Sequence, residues 1–368
     1  MTLTPWPARR RHHDRRGVGW GIIGASDVAA RRFIPALRRL LYPSLGADAP
    51  DQGGTVLGIF STNEARAEAF VAHHAIPHAY LNLADLLAQP DIDCIYIANH
   101  PRHHAQAALA ALAAGKHVLC EPPLALDAEE AQRVAHTALG RGLILTVNYV
   151  RRADPAVIAL REHLTDQTIG DLLTVRIRNN PLLPSARQTW RLRNPGGGVL
   201  LDRTLHSVDL LRYLLRDEIA AVYSQAAPAL LGSRVEEDVT SVLTLRRLAI
   251  LATVHDSFYL PHLPNQVQLI GSRGALTACH CWTDDQPSTL TLQRHGADYP
   301  LTLTAEDPFA VALRSFHAAI AGIGPTLASG VDGVQSLQVI EAAQASLTGG
   351  RRVTLEAPSR AVTDRSLL

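Results

Sequence analysis

The chain is poor in cysteine, in lysine and in long apolar runs. Its 368 residues include 4 cysteines, which are too few for a disulfide framework in a chain of this length and favour a reducing cytoplasm. No run approaches the ~18 apolar residues that span a membrane, so we expect no membrane partner. The formal net charge of +1 gives no electrostatic reason to expect nucleic acid as a partner. Residues 1–16 are basic and polar without an apolar core, which indicates a disordered tail and not a secretory signal.

Patterns of metal ligands are also weak. The Cys-His-Cys segment at 279–281 would place both thiols on one face of a strand, but the sequence offers no second pair of ligands with the spacing of a zinc site. The histidine-rich segment at 100–104 follows a strand, and its last two histidines point apart at the start of a helix. We therefore expect no metal site.

The chain is longer than one hydrophobic core usually serves, and its two parts differ in their pattern of apolar and polar residues. Between residues 17 and 147, apolar strand-like runs alternate with amphipathic helices, a pattern that predicts a doubly wound parallel sheet. Residues 148–368 carry alternating strand patterns between helices and predict an α+β domain with a large, mostly antiparallel open sheet. Since such sheets commonly expose one face, a partner subunit could cover it, and we expect a homo-oligomer, either a dimer or a tetramer.

The first strand leads into a glycine turn that is typical of dinucleotide binding. The turn follows the apolar run 18–23 and opens a helix, although serine replaces the second glycine of the usual fingerprint. A glycine permits the tight bend, and the amides of the helix start can cradle a pyrophosphate. A tight strand-helix turn without a ligand is the alternative. The candidate cofactor contacts in this turn are Gly24, Ser26, Asp27 and Val28.

The end of the second strand bears on the choice between NAD and NADP. NAD-binding proteins usually offer an acid to the ribose hydroxyls at this point, whereas this chain has Ser61-Thr62-Asn63 and no carboxylate before Glu64. Ser61 and Thr62 are available to a 2′-phosphate, with Arg66 one helical turn further on. The pattern favours NADP slightly over NAD.

Six blocks, taken in order, resemble one protein family. They are GIIGASDVAARRFIPAL, YIANHPRHH, AGKHVLCEPPLAL, NYVRRADPAV, GGGVLLDRTLHSVDLLRYLL and ASGVDGVQSLQVIEAAQASLTGGRRV, and they extend over nearly all of the chain from Gly17. They are similar to the glucose–fructose oxidoreductase / inositol dehydrogenase / rhizopine catabolism (Gfo/Idh/MocA) family. The resemblance implies a Rossmann domain followed by an α+β domain. It also implies NAD(P)-dependent hydride transfer to or from a hydroxyl or keto carbon of a sugar, cyclitol or sugar nucleotide.

The resemblance further implies roles for individual residues. Asp202 and His206 match the catalytic Asp and His of the family, in which the imidazole handles the proton of the reacting hydroxyl. Asn99 and His100 would face the nicotinamide, and Glu121 belongs to the same cofactor-facing edge. The loop at 181–198 resembles a lid over substrate or cofactor. The candidate substrate contacts are Tyr149, Trp190, Arg191 and Asp209.

Helical spacing supports part of this assignment independently. Asp202, His206, Asp209 and Tyr213 recur at spacings of four, three and four, which places them on one helix face. Histidine suits proton transfer because its unperturbed pKa lies near neutrality, and an acid one turn away can orient it. Two alternatives stay open, namely Asp202 as a helix cap beside a surface-paired His206, and Trp190-Arg191 as an anchor of its loop.

One residue departs from the family pattern where the chemistry is concentrated. The family strand ends Glu-Lys-Pro, and its lysine helps to bind substrate and tune proton transfer, but this chain reads Glu121-Pro122-Pro123. Lys116, the only lysine, lies at the opposite end of the same strand, about 20 Å away at ~3.3 Å per residue. Three hypotheses follow: an oxidoreductase that uses other groups, a nucleotide-binding sensor or partner subunit without turnover, and an NAD-dependent enzyme without net redox change.

Overall fold

The computed structural model describes residues 17–41, 53–282 and 286–357. The tail that the sequence predicts at residues 1–16 lies outside these ranges. Within them the strands form two sheets, one of six strands and one of nine.

The first sheet is parallel throughout, as the alternation of strands and helices predicted. Its strands are β1 (Val18–Ile23), β2 (Gly54–Phe60), β3 (His78–Tyr80), β4 (Cys94–Ile97), β5 (His117–Cys120) and β6 (Leu145–Val147). They lie in the order β3-β2-β1-β4-β5-β6, which is the order of a Rossmann fold with its switch point between β1 and β4. The short edge strand β3 was not predicted from the sequence.

Helices cover both faces of this sheet. A π-helical turn (Ala29–Phe33) continues as α1 (Ile34–Leu41), and α2 (Glu64–His74), α3 (Leu83–Leu87), α4 (His104–Ala113) and α5 (Ala128–Gly140) follow. The ring of Phe33 stacks on that of Tyr96 with centroids 3.9 Å apart, and Trp20 meets Phe33 edge-on at 5.2 Å. This buried aromatic group fixes the start of the first helix against β4.

A helix from late in the chain, α8 (Pro308–Ile320), packs on the first domain. The ring of Phe316 lies 5.3 Å from that of Trp20, and Trp20 Nε1 donates a hydrogen bond to His317 Nε2 at 3.2 Å. Phe309 belongs to the same apolar cluster. The hydrophobic core of the first domain therefore includes residues from beyond the predicted boundary at residue 147, because α8 packs into it.

The second sheet has nine strands. They are β7 (Leu172–Asn179), β8 (Ile219–Ala226), β9 (Asp238–Leu245), β10 (Leu251–Ser257), β11 (Gln266–Gly271), β12 (Gly274–Cys279), β13 (Thr289–Arg294), β14 (Ala297–Leu301) and β15 (Val353–Thr354). They lie in the order β14-β13-β12-β11-β7-β10-β9-β8-β15. Only β7 and β10 pair in parallel, so the prediction of a mostly antiparallel sheet is confirmed.

One face of this second sheet is covered and the other is exposed. The covering helices are α6 (Pro155–Thr165), α7 (Leu205–Leu215) and α9 (Gly330–Gly349). Val175 and Ile177 of β7 are buried on the inner face, whereas Arg176 between them is exposed. Leu251 and Tyr223 are also exposed. The alternation is that of a sheet with one face open in the single chain.

The described ranges hold neither a membrane-spanning helix nor a cluster of metal ligands. None of their helices is long and apolar enough to cross a membrane, and no three of their His, Cys, Asp or Glu side chains are grouped so as to hold a metal. β12 ends at Cys279, and His280 has a φ of +56. The chain therefore turns before Cys281, and the two thiols do not share the strand face that the sequence suggested.

Candidate active site

The glycine turn after β1 lies at the carboxyl edge of the first sheet, against the end of β4. Gly24 has a φ of +105, and a Cβ at this position would lie 2.7 Å from the Cα of Asn99. Ser26 Oγ accepts a hydrogen bond from the amide of Ala29 at 3.3 Å and so caps the first helical turn. The amides that open a helix lack intrahelical partners and favour anions. The turn therefore keeps the features that hold a pyrophosphate.

The side chain of Asp27 links this turn to the loop at 181–198. Its two carboxylate oxygens lie 3.1 Å from Arg31 Nε and 3.7 Å from Arg187 Nη2, all on exposed side chains. Val28 is partly buried and packs on the apolar cluster beneath the turn. The loop is thus held beside the start of the first helix.

Replacing Gly24 with alanine is expected to weaken dinucleotide binding by ~10-fold or more. The added Cβ would meet the backbone of Asn99, and alanine would keep a φ that L-amino acids rarely adopt. Fluorescence titration with NADPH measures the dissociation constant. Gly140→Ala is the matched control, because nothing lies within 4 Å of its added Cβ. Equal affinities of the two variants would contradict the assignment of this turn.

The end of β2 offers hydroxyls and amides and no nearby acid in its turn. Ser61 Oγ accepts a hydrogen bond from the amide of Asn63 at 3.2 Å, and Asn63 Oδ1 accepts one from the amide of Arg66 at 2.9 Å as the cap of α2. Thr62 and Glu64 are exposed. Hydroxyls and the amides of a helix start can donate hydrogen bonds to an anion.

Three polar side chains follow the ends of β4, β5 and β6. Glu121 Oε1 accepts hydrogen bonds from Tyr96 OH at 2.5 Å and from Asn148 Nδ2 at 2.6 Å. Burial raises the pKa of Glu121 to about 7, although both hydrogen bonds act to lower it. The side-chain oxygens of Asn99 and Asn148 are buried and have no hydrogen-bond partner among the described residues. This edge therefore combines a carboxyl that titrates near neutrality with two unpaired amide oxygens.

No lysine reaches the strand end at Pro122. Lys116 is 6% exposed, and its Nζ donates hydrogen bonds to the carbonyl oxygens of Gln89 at 2.8 Å and Ile92 at 2.7 Å. These contacts hold the ammonium at the amino end of β5. The structure thus agrees with the strand-length argument, and the lysine cannot act at the carboxyl edge.

The histidines after β4 differ in their surroundings. The ring nitrogens of His104 lie 2.7 Å from the carbonyl oxygen of Pro123 and 3.0 Å from that of Asn99. His104 therefore ties the ends of β4 and β5 together, a structural role. His100 is half-buried, and its Nδ1 accepts a hydrogen bond from the amide of Arg102 at 3.2 Å. Burial, followed by the charge of Arg102, lowers the pKa of His100.

His206 carries a buried nitrogen without a partner. Its Nδ1 makes no hydrogen bond to any described residue, and its ring meets that of Tyr149 edge-on with centroids 5.8 Å apart. Burial, with a smaller contribution from the charge of Arg151, holds the pKa of His206 well below its usual range. The imidazole is therefore neutral at neutral pH. Tyr149 is 1% exposed and packs against this ring.

Asp202 is paired with Arg191 instead of with His206. Its Oδ1 accepts a hydrogen bond from Arg191 Nε at 2.8 Å. Residues 200–204 form a π-helical turn before α7, so the i to i+4 geometry of an α-helix does not hold between positions 202 and 206. Thr204 is buried in this turn.

The loop at 181–198 lies over the end of β4. The ring of Trp190 lies 5.2 Å from that of His100, and the guanidinium of Arg191 lies 4.4 Å from the centre of the Trp190 ring. Trp190 and Arg191 therefore anchor the loop and at the same time connect His100 with Asp202. A cavity of about 330 Å³ remains under the loop, lined by His100, Arg102, Gln188, Thr189, Trp190, Arg193, Asn194 and Pro195.

Asp209 is committed to a buried ion pair. Its two oxygens accept hydrogen bonds from Arg152 Nε at 2.9 Å and Arg152 Nη2 at 2.5 Å, and the residue is 1% exposed. Arg152 also lies 2.9 Å from Asp332 of α9. The carboxylate of Asp209 has no surface left for a substrate, because the helix face that carries it turns into the core after His206.

Two residues at the end of β6 were overlooked in the sequence. Asn148 contacts Glu121, and Arg151 acts electrostatically on His206. The guanidinium of Arg151 lies 4.8 Å from the centre of the Trp282 ring. Burial lowers its pKa to about 10, so it stays charged at neutral pH. Their position directly after a strand, at the same sheet edge as Asn99 and Glu121, was the available signal.

These residues fit a nicotinamide dinucleotide. The turn at Gly24 leaves a cradle that a Cβ would fill. The buried oxygen of Asn99 lacks a donor, and a carboxamide N–H could supply one.

Comparison with known proteins agrees with this architecture. Two family models match: an oxidoreductase family with an NAD-binding Rossmann fold over residues 18–149, and the GFO/IDH/MocA C-terminal domain over residues 157–277. The 1,5-anhydro-D-fructose reductase of Ensifer adhaerens is 32% identical over 333 residues, which span 90% of this chain and 96% of the reductase.

Two solved structures share the whole fold. An aldose-aldose oxidoreductase from Caulobacter crescentus superposes with a TM-score of 0.82 at 22% identity, over 92% of this chain and 100% of that one. Levoglucosan dehydrogenase, in complex with NADH and levoglucosan, superposes with a TM-score of 0.81 at 19% identity, over 93% and 100%. Matched in both domains and along nearly its full length, the chain belongs to the Gfo/Idh/MocA family of NAD-binding oxidoreductases.

Proposed function

We propose that this protein transfers hydride between NAD(P) and a hydroxyl or keto carbon of a small carbohydrate-like molecule. The observation that carries the proposal is the neutral imidazole of His206, which contacts Tyr149 just after β6 and has an unpaired Nδ1. When bound, the nicotinamide accepts or supplies the hydride. The protein has to bind both molecules, exclude water and move one proton.

In the oxidative direction, the imidazole of His206 accepts the hydroxyl proton while the carbon loses its hydride. In the reductive direction, the protonated imidazole returns that proton to the carbonyl oxygen. A pKa held low by burial and by Arg151 keeps the base form available at neutral pH. Asp202 acts by binding Arg191, which holds the loop at 181–198 in place.

The remaining polar residues divide between cofactor and substrate. We assign the start of the first helix to the pyrophosphate and the edge formed by β4, β5 and β6 to the nicotinamide half. Trp190 and Arg191 would contact the substrate from the loop, with Tyr149 packing beneath His206. The residues assigned to the cofactor are Gly24, Ser26, Asp27, Val28, Ser61, Thr62, Asn99, His100 and Glu121.

The relatives support the class of substrate. The Ensifer protein is named for the reduction of 1,5-anhydro-D-fructose, and the levoglucosan dehydrogenase structure holds levoglucosan. At 32% identity over 90% of this chain, a related sugar, cyclitol or sugar nucleotide is the proposed substrate. NADP is the preferred cofactor in this proposal, because Ser61, Thr62 and the start of α2 are available to a 2′-phosphate.

Pro122 favours a second candidate. With no lysine at the strand end, the protein could bind the dinucleotide without turnover, as a sensor or partner subunit, or use it without net redox change. The unpaired His206 favours turnover, since a binding protein has no use for a base at this point.

We also propose the assembly and the compartment. The exposed strand face that carries Tyr223 and Leu251 supports a dimer or tetramer formed through the second sheet. All four cysteines are unpaired, which fits the cytoplasm.

Fluorescence titration with NADH and NADPH, followed by absorbance assays with a panel of sugars and cyclitols, tests this function. We expect NADPH to bind ~10-fold or more tightly than NADH. Ser61→Asp should reverse this preference by repelling the 2′-phosphate, whereas Ser61→Ala adds no charge and serves as the control. Failure of both nucleotides to bind would contradict the proposal. Binding without turnover that Pro122→Lys fails to restore would support the non-catalytic candidate.

A further inference from the structure

Glu121 is a half-buried carboxyl whose surroundings are electrically neutral. The two groups that donate hydrogen bonds to it, Tyr96 OH and Asn148 Nδ2, carry no charge. The titratable groups that face it are Tyr96 from β4, Cys120 from its own strand and His104 from the start of α4. Burial raises the pKa of Tyr96 and of Cys120 and lowers that of His104. None of these groups is positively charged at neutral pH, and no cation among the described residues lowers the pKa of Glu121.

The neighbouring amide can serve both protonation states of this carboxyl. Asn148 donates to Glu121 through Nδ2, while its Oδ1 is buried and has no donor among the described residues. If the carboxyl gains a proton, rotation of the amide by half a turn presents Oδ1 to the new O–H. The amide therefore makes one hydrogen bond to the carboxyl in either protonation state, so uptake of the proton breaks none.

The position of Glu121 couples its proton to the charge of the cofactor. In a Rossmann sheet one half of the strands takes one nucleotide and the other half takes the second, so the edge of β4, β5 and β6 is the nicotinamide side under the proposed function. An oxidised nicotinamide ring carries a positive charge and a reduced ring carries none. A nearby positive charge favours the ionised form of a carboxyl.

We propose that Glu121 holds a proton in the free protein near neutral pH and releases it when an oxidised nicotinamide dinucleotide binds, but not when the reduced form binds. The inference rests on the proposed function, because it requires the dinucleotide at this edge. In this step the O–H bond of the carboxyl breaks and the proton passes to solvent, and no group is oxidised or reduced. The carboxylate that remains compensates the charge of the ring.

Binding measured without any substrate tests the proposal. In weakly buffered solution with a pH indicator, binding of NADP⁺ should release up to about half a proton per site more than binding of NADPH near pH 7. The dissociation constant of NADP⁺ relative to that of NADPH should rise by up to ~10-fold for each pH unit below about 7. The 2′-phosphate of the dinucleotide also titrates near pH 6. It does so in NADP⁺ and in NADPH alike, so it does not change the ratio of their dissociation constants.

Two variants and one control sharpen this test. Glu121→Gln imitates the protonated acid and should abolish both the proton release and the pH dependence of the ratio. Tyr96→Phe removes a hydrogen bond that favours the carboxylate and should move the midpoint to higher pH. Glu129→Gln, on the exposed surface of α5, should behave as the wild type. Equal pH dependence of the two forms in the wild type would overturn the proposal, as would a ratio that still varies in Glu121→Gln.

A second measurement separates this inference from the proposed function. The pKa of Glu121 is raised on folding, so its protonation stabilises the folded state below about pH 4.5, and that stabilisation is lost as the pH rises through about 7. The urea midpoint of the wild type should therefore fall relative to that of Glu121→Gln between about pH 5 and pH 8. If the urea midpoints of the two proteins change with pH in the same way, Glu121 does not hold a proton in the folded state. If the midpoints diverge and neither nucleotide binds, the proposed function and the coupling fail together while the buried proton stands.

Discussion

Replacing His206 with glutamine is expected to lower kcat by ~10²–10⁴-fold while the dissociation constant for NADPH stays unchanged. Glutamine is of similar length and can form hydrogen bonds, but it cannot take up a proton at neutral pH. His206 Nδ1 makes no hydrogen bond to any described residue, so the substitution breaks none and the fold should persist. Single-turnover hydride transfer, followed by the absorbance of NADPH, measures the effect.

The matched control is His262→Gln, in the exposed loop between β10 and β11, which should keep full activity. A His206→Gln variant with the kcat of the wild type would remove the histidine from the mechanism. The pH dependence gives an independent check, because the pKa of His206 is lowered and its base form persists to lower pH. The kcat for oxidation should therefore stay level through about pH 6.5, where an ordinary histidine loses half of its base form.

The parts of the site that depend on local chain geometry could be predicted from the sequence. Gly24 was identified because a strand, a tight bend and a helix start follow one another along the chain, and the structure gives that glycine the positive φ that the bend requires. The same holds for the strand end at Glu121, which two prolines mark. Lys116 was excluded by counting residues along a strand, and its contacts with two backbone carbonyls agree.

The parts that depend on long-range pairing could not be predicted. Asp202 and Asp209 both recur at helical spacing with His206, yet Asp202 binds Arg191 of the loop and Asp209 binds Arg152. Spacing along a helix shows which residues share a face but not which distant arginine will meet them. The π-helical turn at 200–204 also changes which residues share a helix face, and no residue type in that segment predicts it.

The position of α8 illustrates the same limit at a larger scale. The sequence predicts helices between the strands of residues 148–368, and one of them runs from Pro308 to Ile320. The pattern does not show which sheet the apolar face will meet, and Phe316 packs on Trp20 of the first domain. The histidine that follows, His317, then becomes the acceptor for the Trp20 indole.

Replacing Asp209 with asparagine is expected to lower the free energy of unfolding by about 3–5 kcal/mol. The substitution keeps the shape of the side chain but leaves the guanidinium of Arg152, which is 5% exposed, without its bidentate partner in the core. Asp332 would remain 2.9 Å from Arg152, so part of the charge stays compensated. The shift of the urea midpoint at constant slope measures the loss. Glu129→Gln, which breaks an exposed pair with Arg133, should cause no measurable change.

A double variant distinguishes the ion pair from simple loss of packing. Arg152→Met with Asp209→Leu removes both charges and fills the same space with apolar atoms, and it leaves the carboxylate of Asp332 with the charge of Arg212 to compensate it. Replacing both members of a buried pair is often neutral, whereas removing one is costly. We therefore expect the double variant to be more stable than Asp209→Asn. In the wild type the charges of Arg152 and Arg212 together hold the pKa of Asp332 well below its usual range despite burial, and Arg212 remains in the double variant. If the free energy of unfolding falls in the double variant by the sum of the losses in Arg152→Met and Asp209→Leu alone, the two side chains are not coupled.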